Sequence, residues 1–292
     1  MSETTAFIGG GNMASALVAG FLRGSGNAAT LLIVEPDAAQ RQRLAAELGV
    51  TAMAAADPSL TAASLVVWAV KPQSFAAAAL ACHGQVGQAL QLSVMAGVRC
   101  TTLRQATGAA RIVRAMPNTP ALIGAGIAGL YADGASDADR RRCEVLLGPT
   151  GDVIWVERET DLDVVTALSG SGPAYVFYLL EAMVAAGERL GLDAAQALRL
   201  AKQTVRGSGL LAAASDDAPA ALRQRVTSKG GTTQAALDVL EARGVQAAFI
   251  AAIEAAARRA AELGLAPVDS SSPGVPSAGA TAAVKTGAPP SM

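Results

Sequence analysis

The sequence predicts an α/β fold in which a doubly wound N-terminal domain is followed by an all-α domain. Three observations carry this. Seven short β-rich runs alternate with Ala- and Leu-rich helical segments between residue 4 and about residue 157. Those runs are mostly continuous in apolar residues, the pattern of a parallel sheet covered by helices on both faces. After Glu157 the strand signal stops, and every periodic segment reads as helix.

In order, the predicted strands are 4–8, 31–35, 65–70, 92–96, 111–115, 127–131 and 153–156. The predicted helices of the second half are 161–190, 193–214, 218–225, 233–243 and 245–263. Asp193 suits an N-cap, and Gly191 and Gly244 suit C-terminal stops. Composition switches once, which divides the chain into an α/β unit, 1–159, and a helical unit, 160–266. From 267 to 292 Ser, Pro, Gly, Ala and Thr dominate without periodicity, the signature of a disordered tail.

A length of 292 residues with 51% hydrophobic content supplies a substantial core. No run of about 18 apolar residues appears, so a spanning helix is not expected. The N-terminus lacks the positive region of a signal peptide, and a cytoplasmic protein is expected. Net charge is −1, which leaves no global field for nucleic acid. Cys82, Cys100 and Cys143 lack metal-ligand spacing and read as buried free thiols. Arg140, Arg141 and Arg142 follow Asp137 and Asp139 and read as a solvated helix face. The helices around 175–190 and 247–263 are small or aliphatic on most faces, which one chain of this size cannot cover, so an intertwined homodimer is expected.

Two loops have the composition of anion grips. In the first, Gly9-x-Gly11-x-x-Ala14 lies between a strand and a helix that starts near Met13, the context of a dinucleotide fingerprint. Gly9 allows the tight turn, Gly11 allows close approach of a pyrophosphate to backbone N–H groups, with Asn12 and Met13 beside it, and Ala14 allows close helix packing. Glu35 closes the second strand, where a carboxylate suits ribose hydroxyls and favours NAD; Arg41 and Arg43 follow within reach of a 2′-phosphate, so the residues leave NADPH and NADH both open. The turns at Ala69-Val70-Lys71-Pro72 and at Ala96 end later strands and should line the cofactor. Met116-Pro-Asn-Thr-Pro120 ends another, with Asn118 offering an amide between two prolines. The second loop, residues 226–233, packs four hydroxyls, two glycines and Lys229 immediately before a helix, and implies a second anionic ligand.

Together FIGGGNMASA (7–16), VVWAVKPQ (66–73), RAMPNTPALIGAG (114–126), TALSGSGPAYVF (166–177) and VTSKGGTT (226–233) resemble, in order and spacing, the pyrroline-5-carboxylate reductases. The resemblance spans about residues 5–265. It implies a Rossmann-type domain, a helical dimerisation domain, and NAD(P)H-dependent reduction of 1-pyrroline-5-carboxylate to L-proline. It further implies that Ser228, Gly230, Gly231, Thr232 and Thr233 grip the substrate, with the carboxylate on the Gly231 and Thr232 amides and the imine nitrogen on the Thr233 hydroxyl. Asn118 joins them as a substrate-side residue. The one histidine, His83, reads as a surface residue, which fits an imine substrate: a protonated C=N is already electrophilic and needs positioning more than a strong acid.

Two positions depart from the family pattern. Lys229 stands where proline is usual, and Ala56 lies near a position where relatives often carry asparagine for the cofactor, with Asp57 as a candidate substitute. Other readings stay open at this level. One is a reductase of a larger cyclic imine. A second is a β-hydroxyacid dehydrogenase, for which Lys202 is the helix-borne lysine but Arg206 stands where an amide is needed. A third is a non-catalytic NAD(P)H-binding protein.

Overall fold

The computed structural model describes residues 3–24 and 26–265, so the predicted tail at 267–292 lies outside the described residues. Seven strands form one sheet: β1 (Thr4–Ile8), β2 (Leu31–Val34), β3 (Ala63–Trp68), β4 (Leu90–Ser93), β5 (Ile112–Met116), β6 (Gly126–Asp133) and β7 (Gly151–Trp155), in the order β2-β1-β3-β4-β5-β6-β7. β1 to β5 are mutually parallel. The sheet is not wholly parallel, however: β6 runs antiparallel to β5, and β7 runs parallel to β6. The cause is chain length. Only residues 117–125 separate β5 from β6, too few for the crossover a parallel neighbour requires.

Helices α1 (Asn12–Arg23), α2 (Ala38–Leu48) and α5 (Asp137–Leu147) cover one face, and α3 (Phe75–Ala81) and α4 (Cys100–Thr107) the other. Consecutive residues split between the two cores as the pleat dictates. Phe7, Val67 and Val113 enter the first, while Ile8, Val66 and Ile112 enter the second. Each such side chain contributes about 1.5–3 kcal/mol by burial. In the second core Trp68 meets Phe75 edge to face at 5.2 Å. Its indole N–H donates to Gln91 Oε1 at 2.8 Å, and the Gln91 amide donates in turn to the Val86 and Ala89 carbonyls, so this buried polar pair is fully satisfied.

Within the arginine run Arg141 is exposed as expected, while Arg140 and Arg142 are anchored. Arg142 reaches Glu3 at 3.0 Å and Ser64 Oγ at 2.8 Å. The Arg140 guanidinium lies 4.7 Å from the centre of the Trp155 ring, a cation–π contact.

Beyond β7 the described chain is helical: α6 (Asp161–Val165), α7 (Gly172–Arg189), α8 (Ala194–Ala213), α9 (Pro219–Arg225), α10 (Thr232–Ala242) and α11 (Val245–Leu265). The single helix expected over 161–190 is interrupted by a π-helical turn, Thr166–Gly170, closed by Ser171 N–H to Thr166 O at 2.8 Å. Pro173 has no N–H to continue an α-helical ladder and suits the first turn of a new helix, where it sits in α7. Asp193 caps α8 by accepting from the Gln196 amide at 2.9 Å. Neither α7 nor α10 has a fully buried residue, and Phe177, Leu210, Leu211 and Ile250 are each more than half exposed. One chain therefore leaves much of its helical apolar surface uncovered, as the all-round apolar patterns anticipated.

Candidate active site

The first loop is built by steric necessity. Gly9 has φ +99°, and a Cβ there would sit 2.7 Å from the Ala69 carbonyl oxygen. Its N–H is spent on Val34 O at 2.8 Å. The Gly10 N–H donates to Glu35 Oε2 at 2.7 Å, and the Gln40 amide donates to Gly10 O. These contacts hold the loop against the ends of β2 and β3. Beyond them it opens: a Cβ at Gly11 would meet nothing within 4 Å.

Helix α1 starts at Gly11 with no side-chain cap, and its first internal bond is Ser15 N–H to Gly11 O. The amides of Asn12, Met13 and Ala14 consequently have no helical partners. Open space before uncapped amides at a helix start suits a pyrophosphate, so the residues present fit a dinucleotide. Around the same sheet end, Ala69 and Val70 press on Gly9, Lys71 is exposed ahead of Pro72, and Ala96 is exposed in the turn after β4.

Glu35 differs in orientation from the expectation. Both carboxylate oxygens are turned onto backbone, Oε2 to Gly10 and Oε1 to the Asp37 N–H at 2.9 Å. Arg41 donates to the Glu35 and Pro36 carbonyls, and Arg43 donates to Asn12 Oδ1 at 3.0 Å. Asp57 caps the turn Pro58–Ala62 by accepting from the Ser59 amide through Oδ1, and the residue is exposed.

Asn118 is also committed within the protein. Its Oδ1 accepts from the Ile127 N–H at 3.0 Å, and its Nδ2 donates to Ser169 O at 3.2 Å. One amide thus ties the end of β5, the start of β6 and the π-helical turn. Met116 presses on Gly170 in the same seam, where a Cβ would lie 2.6 Å from the methionine Cε. Tyr175, in α7, donates its hydroxyl to the Ala167 carbonyl at 3.1 Å. Asn118, Pro120, Ser169, Tyr175 and Phe249 line an apolar cleft of about 540 Å³.

The second loop is a tight turn. Gly231 N–H donates to Ser228 O at 3.0 Å with Gly230 at φ +71°, the type II arrangement, which places Lys229 at its second position. Helix α10 then begins at Thr232, behind Gly231 and without a side-chain cap; its first internal bond is Ala235 N–H to Gly231 O. The Gly231 amide is therefore taken, and the amides left without helical partners are those of Thr232, Thr233 and Gln234. Of the two amides expected to hold a carboxylate, that of Gly231 is bonded to Ser228 O in this structure and that of Thr232 has no helical partner. Among the described residues, the hydroxyls of Ser228, Thr232 and Thr233 have no hydrogen-bond partner, and Ser228, Lys229, Gly230 and Thr232 are exposed. His83 is exposed as well.

One group of charged residues escaped the sequence reading. Arg114, on β5 and 4% exposed, donates to Glu159 Oε1 at 2.8 Å. The Cys100 N–H donates to the same oxygen at 2.6 Å, so Glu159, the last residue of the first domain, caps α4 from a distant point in the chain. Arg99 pairs with Asp163 at 2.6 Å. The available signal was an arginine inside the apolar run Ile112–Met116, since a buried guanidinium demands a counter-ion. Its partner lies 45 residues away and has no spacing signature.

A doubly wound sheet with an uncapped glycine helix start is thus joined to a helical unit with a second uncapped start and uncovered apolar faces, an arrangement that suits a dinucleotide, a second anion and a covering partner. Residues 159–263 match the family described as pyrroline-5-carboxylate reductase dimerisation, and residues 4–97 match NADP oxidoreductase, coenzyme F420-dependent. The chain is 41% identical over 261 residues to the pyrroline-5-carboxylate reductase of Pseudomonas aeruginosa, covering 88% of this chain and 96% of that one. Among solved structures, a pyrroline-5-carboxylate reductase from Coxiella burnetii superposes with a TM-score of 0.82 at 35% identity, covering 90% of this chain and 99% of that one. The Plasmodium falciparum pyrroline carboxylate reductase with NADP bound gives 0.79 at 26% identity, covering 90% and 98%. The chain belongs to the pyrroline-5-carboxylate reductase family.

Proposed function

We propose that this protein reduces 1-pyrroline-5-carboxylate to L-proline, the last step of proline biosynthesis, as a cytoplasmic homodimer or larger homo-oligomer. Residues 1–159 serve as the nucleotide-binding domain and 160–266 as the dimerisation and substrate domain. The observation that carries the reading is that α1 and α10 start at glycine N-caps directly behind the glycine-rich loop 9–12 and the hydroxyl- and glycine-rich loop 227–233, with their leading amides lacking helical partners. Helix α11 also starts behind a glycine, Gly244, but without such a loop. By contrast α2, α5 and α8 are capped by Asp37, Ser136 and Asp193. Two uncapped starts suit two anionic ligands, a dinucleotide and a carboxylate.

NADPH or NADH, when bound, supplies the hydride. Gly9, Gly11, Asn12, Met13, Glu35, Ala69, Val70, Lys71, Pro72 and Ala96 would hold it. On the substrate side, the Thr232 and Thr233 amides hold the carboxylate, and Ser228 and Gly230 shape the turn. The Thr233 hydroxyl orients the imine nitrogen and relays a proton between it and water. As the imine carbon gains hydride, the C=N π pair moves to nitrogen, and one proton completes the secondary amine. Asn118 acts by fixing the wall between the two domains. A site of this kind lowers the barrier by alignment and fixed dipoles more than by acid strength.

The test is Thr233→Ala. Loss of the hydroxyl should lower kcat/KM about 10- to 100-fold, or roughly 1.4–2.7 kcal/mol, with an intact dimer. Wild-type turnover and substrate affinity in this variant would remove Thr233 from the mechanism. Lys202, the lysine a β-hydroxyacid dehydrogenase would need, is exposed on α8, and so is Arg206, which stands where that reading needs an amide.

A further inference from the structure

We propose that Arg99 is a positioning residue for hydride transfer, clamping the turn after β4 to the helical domain. The proposal rests on the reading above that this turn, at Ala96, lines the cofactor.

Arg99 leads into α4 directly behind Gly97 and Val98. Its guanidinium pairs with Asp163 of α6 at 2.6 Å, and the two side chains are only 14% and 10% exposed. On its other side lies the last turn of α11: a Cβ at Gly264 would approach Arg99 Nη2 to 2.5 Å, so a larger residue there would displace the guanidinium. Gly97 has φ +74°, and a Cβ built on it would lie 3.4 Å from the Leu263 carbonyl oxygen. The turn therefore runs alongside the backbone at the end of α11, and Arg99 joins this edge to α6.

A second pair runs parallel to the first, through Glu159, which receives Arg114 and the Cys100 amide. The four charges balance as two guanidiniums and two carboxylates, and of the two pairs Arg99–Asp163 is the one that crosses from the first domain into the second. Buried ion pairs add little net stability compared with apolar replacements, but they fix geometry when their partners are directional. What Arg99 fixes here is the angle between the wall that faces the cofactor and the helices that carry the substrate loop. An error of about 1 Å in that alignment is enough to cost about 100-fold in rate.

The experiment replaces the pair with apolar residues of similar size, Arg99→Met with Asp163→Leu, which removes the directional link without leaving a buried charge. Dimer mass, NADPH Kd by fluorescence, kcat, KM, and the deuterium isotope effect with 4-deuterated NADPH are then compared with wild type. The clamp predicts a folded dimer that binds NADPH within about two-fold of wild type. Its kcat should be about 10- to 100-fold lower, and its isotope effect larger, because misalignment slows the hydride step itself. Arg99→Lys, which keeps the charge, should recover part of kcat. A dimeric double variant with unchanged kcat and isotope effect overturns the clamp. Equal loss of NADPH binding and kcat overturns it too, because that pattern marks damage to the nucleotide domain rather than to alignment.

Ala96→Leu separates this idea from the reading beneath it. If Ala96→Leu weakens NADPH binding while the double variant keeps its kcat, only the clamp fails. If Ala96→Leu binds NADPH normally, the turn itself leaves the cofactor site and the clamp loses its target.

Discussion

The Gly10 amide donates to Glu35 Oε2 at 2.7 Å, so the acidic side chain that ends β2 is bonded directly to the glycine loop. A carboxylate held there repels a 2′-phosphate, while Arg43, bonded to Asn12 at 3.0 Å, attracts one. Glu35→Gln keeps an acceptor for Gly10 and removes the charge. The ratio of kcat/KM for NADPH over NADH should rise about 10-fold, or about 1.4 kcal/mol, as measured by steady-state kinetics with both cofactors. An unchanged ratio would place discrimination elsewhere.

Asn118→Ala should destabilise the fold before it touches chemistry. It leaves the half-buried Ile127 N–H and Ser169 carbonyl without their partner, at about 0.5–1.5 kcal/mol for each bond lost. Thermal unfolding should show a lowered Tm. Full stability combined with lost substrate affinity would instead make Asn118 a direct ligand.

Lys229 occupies the second position of a type II turn, the position that proline favours. Lys229→Pro should therefore stabilise the loop by about 0.4–1 kcal/mol through the unfolded chain. At high salt, where a lysine's attraction for a carboxylate is screened, kcat/KM should hold or rise. A large loss there would show that the Lys229 ammonium contacts the substrate.

The three thiols are buried. Burial pushes Cys82 up to about 11. Burial, with Asp139 adding to it, pushes Cys143 up to about 12; Cys100 is also raised, by burial and by Glu159. All three should resist thiol reagents at pH 8 in the native state and react on unfolding. The ordinary thiol value is 9.0. Their contribution to stability is therefore complete below pH 9 and is lost as pH rises toward the folded values, because only the unfolded chain then releases the protons. Urea midpoints across pH 8–11 check this, and Cys→Ala at position 82 should flatten the upper part of the curve.

Local patterns made much of this molecule legible. Continuous apolar runs marked the strands because helices cover both faces of the sheet, and the glycine loop declared itself by lying between strand and helix. Strand direction was hidden, since β6 reads as the same apolar run in either orientation; the short link 117–125 held the information. The π-helical turn was invisible within an apparently continuous helix, although Pro173 marked its end. In the second loop, composition pointed to an anion grip, but only geometry showed that the Gly231 amide is spent closing the turn. Arg99 and Arg114 find partners 64 and 45 residues away, and no local spacing encodes pairs of that kind.

The most direct test of the central claim follows oxidation of NADPH and NADH in parallel with 1-pyrroline-5-carboxylate, piperideine carboxylate and a β-keto acid. The structure and the family predict rapid turnover with the five-membered cyclic imine and none with the β-keto acid. No oxidation with any cyclic imine by the dimeric protein would contradict the account.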